Sequence, residues 1–97
     1  MKGKTLNEFI DALSYGCEME FKYKEREFII QGEVVDNVHT IRLDEYGKND
    51  NSDNSKCMEK IIRGSSFEEC AKILLNDSFI DDKTLFEIEE DIEVLFG

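Results

Sequence analysis

The chain has 97 residues, a formal net charge of −11 and three cysteines, and these values exclude several classes of protein. A chain of this length forms one domain with one modest core. It has neither an apolar run near the 18 residues that a transmembrane helix needs nor a signal-peptide pattern, so we expect a cytoplasmic protein that does not bind membranes. An odd number of cysteines without a C-x-x-C pair predicts reduced thiols, not a disulfide framework or a zinc site.

The first predicted helix begins at a capping box, Thr5-Leu-Asn-Glu8. Apolar residues then recur at i, i+3, i+4 and i+7, which is typical of a buried helical stripe. These residues are Leu6, Phe9, Ile10 and Leu13. Gly16 follows the stripe and is placed to end the helix.

The hydrophobic period changes to two after this helix, which predicts strands. Met19, Phe21 and Tyr23 alternate with charged residues, and after a tight turn near residues 25–26 the chain returns over residues 28–32. The same alternation predicts a third strand over residues 38–46 and a fourth over residues 57–63. Residues 47–56 (GKNDNSDNSK) contain no apolar residue and predict a flexible polar loop.

Two further capping boxes follow the strands, at residues 66–69 (SFEE) and 84–87 (TLFE). The second predicts a helix over residues 84–93. Its core side would hold Leu85, Ile88, Ile92 and Leu95, spaced three, four and three residues apart. A strand with period two also fits the segment, but it would place Glu90 among apolar residues. Whether residues 94–97 are helix or strand stays open.

The predicted fold is α+β, with elements in the order α-β-β-β-β-α-α in a single domain over residues 1–97. Consecutive strands with short links favour an antiparallel four-stranded meander. One face of this sheet must be covered, and the three amphipathic helices are the available cover.

No motif predicts catalysis, a metal site or a cofactor. His39 is the only histidine, and nothing in the sequence places a nucleophile beside it. The segment that begins at Asp50 resembles a calcium loop, but it lacks the glycine at position 6 and has Ile61 at position 12. The glycines are scattered, which does not fit a phosphate-binding loop. We therefore predict a protein that is not an enzyme.

The acidic residues near the C-terminus are the predicted partner-binding site. Residues 76–97 contain eight acids and one base, Lys83. On a helix, carboxylates one turn apart approximate the spacing of phosphates along a nucleic acid strand, which is about 3.4 Å. The predicted site residues are Asp81, Asp82, Glu87, Glu90, Asp91 and Glu93. These acids are either the solvated face of an amphipathic helix or a surface that mimics nucleic acid.

Two segments resemble small acidic proteins of low-GC Gram-positive bacteria and their phages. They are TLNEFIDALSYGCEMEFKYKEREFIIQG (residues 5–32) and SFEECAKILLNDSFIDDKTLFEIEED (residues 66–91), together over half of the chain. The resemblance rests on packing patterns and contains no catalytic motif. In size and acidity, but not by a motif, the chain is also similar to phage-encoded inhibitors of CRISPR and restriction nucleases.

Composition and resemblance together lead to two functional hypotheses. In the first, the chain is a small acidic inhibitor from a phage or mobile element that occupies the basic nucleic-acid groove of a nuclease. In the second, it is a host regulatory, immunity or antitoxin-like module that binds a protein partner through its sheet face or a strand edge. Neither hypothesis includes direct nucleic-acid binding, because no basic patch with interleaved aromatic residues occurs.

Overall fold

The computed structural model describes residues 1–46 and 56–96. The predicted polar loop, apart from Lys56, lies outside these residues. In chain order, the elements are α1 (Leu6–Ser14), β1 (Met19–Tyr23), β2 (Arg26–Val35), β3 (Val38–Tyr46), β4 (Lys56–Gly64), α2 (Phe67–Leu75), α3 (Leu85–Ile88), a 3-10 turn (Glu89–Asp91) and β5 (Ile92–Phe96). The predicted α+β class is therefore confirmed.

The strands form one antiparallel sheet in the order β4-β3-β2-β1-β5. The first four strands form the predicted meander, but the prediction missed β5. The C-terminal segment returns to pair with β1, so that Ile92 lies opposite Tyr23 and Val94 lies opposite Phe21. The helix predicted over residues 84–93 is wrong beyond Ile88, because residues 92–96 pair with the edge of β1 as a strand.

The turns between the strands use residues with positive φ. In the first hairpin the turn residues are Lys24 (φ 57°) and Glu25, one position before the predicted turn. Asp36 (φ 52°) and Asn37 (φ 67°) both adopt the left-handed conformation between β2 and β3. Two left-handed residues in a two-residue loop match the right-handed twist of the strands that they connect.

The core lies between one face of the sheet and the helices. Buried residues of all three helices and of all five strands belong to one cluster. Phe21 and Phe28 stack with their ring centroids 4.9 Å apart, and Phe9 of α1 meets Phe21 edge-on at 5.8 Å. This cluster gives the sheet a helix-covered inner face and an opposite face, which we call the outer face.

Side chains fix the starts of α1 and α2, and Gly16 follows the end of α1, as the sequence predicts, with one exception at α2. Glu8 and Thr5 form the predicted capping box of α1, and Gly16 follows this helix with φ +72°. The hydroxyl of Ser66 accepts from the Glu69 backbone N–H at 3.1 Å, but the Glu69 carboxylate accepts from Ser65 instead of Ser66.

Candidate functional site: an acidic end of the sheet

One end of the sheet brings together the first residues of β2 and β5. Tyr23, the last residue of β1, lies opposite both Arg26 and Ile92. The turn that precedes β2 and the 3-10 turn that precedes β5 therefore lie at this same end. These two turns place exposed acidic residues at this end, and these residues form the candidate site.

Arg26 organises this end through two carboxylates from distant parts of the chain. Its Nε and Nη2 atoms both donate to Glu45 at 2.8 Å, and its Nη1 atom donates to Asp81 at 2.9 Å. The hydrogen bonds that Arg26 donates to Glu45 are the largest cause of its raised pKa, and the bond that it donates to Asp81 adds to it. A buried carboxylate needs such a partner, and Glu45 is only 8% exposed.

Asp81 and Asp82 form a tight turn that is joined to Arg26. Ile80 and Lys83 pair across the turn, where the Lys83 N–H donates to the Ile80 carbonyl at 2.8 Å. Both aspartates have positive φ, 53° and 60°, which Asp tolerates better than most residues. Both aspartates are exposed to solvent, and Asp81 is in addition held by Arg26.

Glu90 and Asp91 are exposed in the 3-10 turn, immediately before β5. Their neighbour Glu89 lies 3.7 Å from the amino group of Met1. We use the name acidic end for the exposed carboxylates at these strand ends. They belong to Glu25, Asp81, Asp82, Glu90 and Asp91.

The bases near the acidic end compensate only part of its charge. Arg26 is already bound to Glu45 and Asp81. The Lys24 ammonium lies over the Tyr23 ring, 5.2 Å from its centroid. Lys83 lies in the same turn as Asp81 and Asp82 and is exposed. The uncompensated carboxylates give this end a negative potential.

Two of the six predicted site residues are separated from the others. The carboxylate of Glu87 accepts from the Thr84 backbone N–H at 2.8 Å, so it caps its own helix. Glu93 lies in β5 opposite Lys22. Because the helix ends at Ile88, the carboxylates do not form the regular line along one helical face that the sequence predicted.

A second feature is a concavity of about 370 Å³ on the outer face, at the opposite end of the sheet. Thr40 is at its centre, with Glu33 of β2 on one side and Arg63 of β4 on the other. Thr40 is only 6% exposed, because longer side chains surround it. We call this concavity the outer cup. Its lining residues are Glu33, Val35, Asp36, Val38, Thr40, Arg42, Ile61 and Arg63.

His39 and Cys70 are neighbours on the inner, helix-covered side of the sheet. The Cys70 thiol donates to the His39 carbonyl at 3.4 Å, and the His39 ring meets Phe67 edge-on at 4.8 Å. Burial is the main cause of a raised pKa for Cys70, which keeps this thiol protonated. A protonated thiol is a poor nucleophile, so this pair has the properties of a structural contact.

The described residues contain neither a metal-binding cluster nor a membrane-spanning helix. No group of three or more His, Cys, Asp or Glu residues within ranges 1–46 and 56–96 is arranged to hold a metal ion. None of the helices in these ranges is long and apolar enough to cross a bilayer. Comparisons with protein-family models, curated proteins and solved structures give no match.

The sequence interpretation missed the Arg26–Glu45 pair and the outer cup. A signal for the pair was present, because Glu45 continues the alternation of Ile41 and Leu43 and therefore points inwards. The partner of that carboxylate is 19 residues away in sequence, and no local pattern identifies it. The lining of the outer cup depends on which side chains of three strands lie opposite each other. Strand register determines that arrangement, and the sequence alone does not show the register.

Proposed function

We propose that this chain is a small non-enzymatic binding protein whose acidic end contacts a basic surface of a partner protein. The single observation that supports the proposal is the concentration of exposed, weakly compensated carboxylates at one end of the sheet, among them Asp82, Glu90 and Asp91. Exposed charges of one sign steer a partner of opposite charge and fix its orientation.

The partner that best fits this surface is an enzyme that acts on nucleic acid. Its binding groove carries the basic side chains that neutralise phosphates, and clustered carboxylates can occupy the same positions. The mimicry is one of charge and not of a regular helical line, because the carboxylates come from two turns and not from a single helix. A protein bound in this way would inhibit the enzyme by excluding its substrate.

The experiment is capture of a partner from host lysate, followed by measurement of its affinity at two salt concentrations. The test variant combines Glu90→Gln with Asp91→Asn. The matched control combines Glu33→Gln with Asp36→Asn, which removes the same charge from exposed positions at the other end of the sheet. We expect the test variant to lose at least about tenfold in affinity at low salt, while the control loses little.

Salt and competition provide the second part of this experiment. Binding through the acidic end should weaken steeply between about 0.05 and 0.5 M salt, because exposed charges are then screened. It should also compete with DNA or RNA for the captured partner. An affinity that barely changes with salt, or a partner that binds the chain and nucleic acid together, would contradict the proposal.

The outer cup supports a second candidate function, that of a regulatory, immunity or antitoxin-like module. Val35, Val38 and Ile61 are partly exposed around the buried Thr40, and charged side chains surround them. Apolar area with a polar rim is the usual composition of a protein interface. In this case the Glu33→Gln/Asp36→Asn control or Val38→Lys would abolish binding, and the affinity for the partner would survive high salt.

A further inference from the structure

We propose that two copies of this chain associate through the outer edge of β4, as an antiparallel strand pair whose two-fold axis passes beside Ile61. This interface lies away from the acidic end and does not depend on the proposed function. Four observations support it: an unpaired strand edge, a self-complementary order of side chains along that edge, an exposed isoleucine on the helix above it, and the position of the charge.

β4 is the last strand on its side of the sheet. It pairs with β3, and within residues 1–46 and 56–96 no strand pairs with its other edge. The opposite side of the sheet is different, because residues near the N-terminus cover β5. There the Lys2 N–H donates to the Ile92 carbonyl and the Val94 N–H donates to the Lys2 carbonyl, both at 2.8 Å. An uncovered edge is a template for pairing with another chain.

The side chains along β4 complement a second copy in one register. Glu59, Ile61 and Arg63 alternate onto the outer face, and all three are exposed. If Ile61 lies opposite Ile61 of a second copy, each Glu59 lies opposite an Arg63. Opposite charges directly across an antiparallel pair stabilise it. Glu59 already accepts from Arg42 at 2.7 Å, and a carboxylate can accept further hydrogen bonds.

Other symmetric registers lack this match. A pair centred on Lys60 places two ammonium groups opposite each other, and a pair centred on Ile62 places Arg63 opposite Ile61. A two-fold axis perpendicular to the sheet places the outer faces of both copies on the same side of the combined sheet. An outer-face residue of one copy can therefore lie opposite only an outer-face residue of the other. The register centred on Ile61 is therefore the one that pairs charges and joins apolar side chains on the outer face; on the inner face it places Lys60, which is bound to Asp77, opposite Ile62.

The flank of α2 supplies a second apolar contact near the same axis. Ile73 is 44% exposed and lies one turn after Glu69 on the same flank of α2, and Asp77 follows this helix just beyond Asn76. Both neighbours lie against β4. Asp77 accepts from Lys60 at 2.7 Å, and a Cβ added to Gly64 would lie 3.1 Å from the Glu69 carboxylate. The flank of α2 that carries Ile73 therefore faces the β4 side of the fold, and in the proposed pair we place Ile73 near Ile73 of the second copy.

The charge of −11 on each copy opposes association, but much of it lies away from this edge. The acidic end lies at the β1–β2 turn, at the Asp81–Asp82 turn held by Arg26 of β2, and just before β5, and none of its carboxylates belongs to β4. In about 0.15 M salt the Debye length is about 8 Å, so exposed charges at the two remote ends repel each other weakly. An interface of one strand and one helix flank is small, so we expect a dimer that forms reversibly in the micromolar range or above.

Charge reversal at β4 tests the register directly. Glu59→Arg places Arg opposite Arg63, and Arg63→Glu places Glu opposite Glu59, so each variant alone should be monomeric. In an equal mixture the two variants complement each other at both positions, and dimers should return. Sedimentation velocity over a concentration series is the measurement. Glu18→Arg and Lys72→Glu are matched controls that reverse the same signs at exposed positions away from the edge.

The expected result is a concentration-dependent wild-type dimer that both variants weaken at least about tenfold and that the mixture restores. A wild type that stays monomeric up to about 1 mM, a dimer insensitive to both reversals, or a mixture that stays monomeric would overturn the proposal. If Glu59→Arg does not fold, a disulfide cross-link tests the register instead. The variant for this test carries Ile61→Cys in a background in which Cys17 and Cys57 are replaced by Ser. Directly opposite Cβ atoms lie about 4.5–5.5 Å apart, within about 1 Å of the Cβ spacing of a disulfide, so the two thiols should oxidise to a covalent dimer. Its absence under oxidation would contradict the register.

Discussion

At the scale of single residues, Arg26 makes the most consequential polar contacts in the described part of the chain. It joins β2 to β3 through Glu45 and to the Asp81–Asp82 turn. The pair with Glu45 has the two parallel hydrogen bonds that make arginine–carboxylate contacts strong and directional. Arg26 therefore serves both the stability of the sheet and the position of the acidic end.

Replacing Arg26 by Met should destabilise the fold more than the loss of an ordinary surface pair would. Glu45 would keep its buried charge without its partner, which costs about 3 kcal/mol. Urea denaturation measures the free energy of unfolding, and Lys72→Met, at an exposed position, should change it by less than about 0.5 kcal/mol. Adding Glu45→Leu to Arg26→Met should recover part of the loss. If Arg26→Met and Lys72→Met cost the same, the pair has no structural role.

Glu69 predicts a pH dependence of stability whose sign follows from its pKa. The Ser65 O–H and N–H donate to its carboxylate at 2.6 and 2.7 Å, which lowers the Glu69 pKa below its ordinary value of 4.5. A group whose pKa is lower in the folded state stabilises the fold at pH values above its pKa in the unfolded chain. This stabilisation is lost as the pH falls through the folded-state pKa. The group at this helix end therefore stabilises the neutral-pH form.

The test compares wild type with Glu69→Gln by urea denaturation at several pH values. At about pH 7 the wild type should be the more stable protein. The difference should shrink as the pH falls through and below about 4.5, because the wild-type carboxylate then becomes protonated and resembles the amide. A difference that stays constant from neutral to acid pH would show that the contact does not depend on the charge.

At the scale of elements, the C-terminal segment shows why local pattern alone could not give the whole fold. The helical pattern and the strand pattern share Ile88 and Ile92, and both residues are buried in the structure. The capping box at Thr84 predicts where α3 begins, but it carries no information about where the helix ends. That is decided by the free edge of β1, whose hydrogen-bonding groups residues 92–96 satisfy. Such pairing joins residues some 70 positions apart.

Alanine substitutions at Ile92 and Leu95 distinguish the strand from the helix. The helix interpretation places both residues in the core, so both substitutions would be costly. In the strand, Ile92 is 1% exposed and Leu95 is 47% exposed. We expect Ile92→Ala to lower the free energy of unfolding by about 2–4 kcal/mol and Leu95→Ala by less than about 1 kcal/mol. Equal, large losses measured by denaturation would favour a continuous helix.

At the scale of the whole molecule, composition and periodicity predicted the α+β class and the four-strand meander, but not the arrangement of the candidate site. The sequence identified Asp81, Asp82, Glu90 and Asp91 as acids near the C-terminus. It could not show that Arg26 holds Asp81 at the strand ends beside Glu25, because that contact spans 55 residues. The capping box at residues 84–87 already predicted the cap role of Glu87, whereas the position of Glu93 opposite Lys22 depends on strand pairing that no local pattern shows.

The acidic end should lower the stability of the molecule while it provides the proposed binding surface. Like charges close together repel in the folded state, and the effect is strongest at low salt. Glu90→Gln with Asp91→Asn should therefore raise the thermal midpoint by roughly 1–3 °C at about 0.02 M salt. The gain should exceed that of Glu33→Gln with Asp36→Asn, because Arg63 and Arg42 line the outer cup beside those acids.

Calorimetry at low and high salt checks this trade-off. At about 0.5 M salt the gain from Glu90→Gln/Asp91→Asn should disappear, because screening already removes the repulsion in the wild type. The same variant should bind the captured partner more weakly, so that stability rises as affinity falls. Opposite changes in these two quantities are typical of a surface whose charges serve binding. A variant that is less stable than wild type at low salt would instead show that these carboxylates make stabilising contacts within the fold.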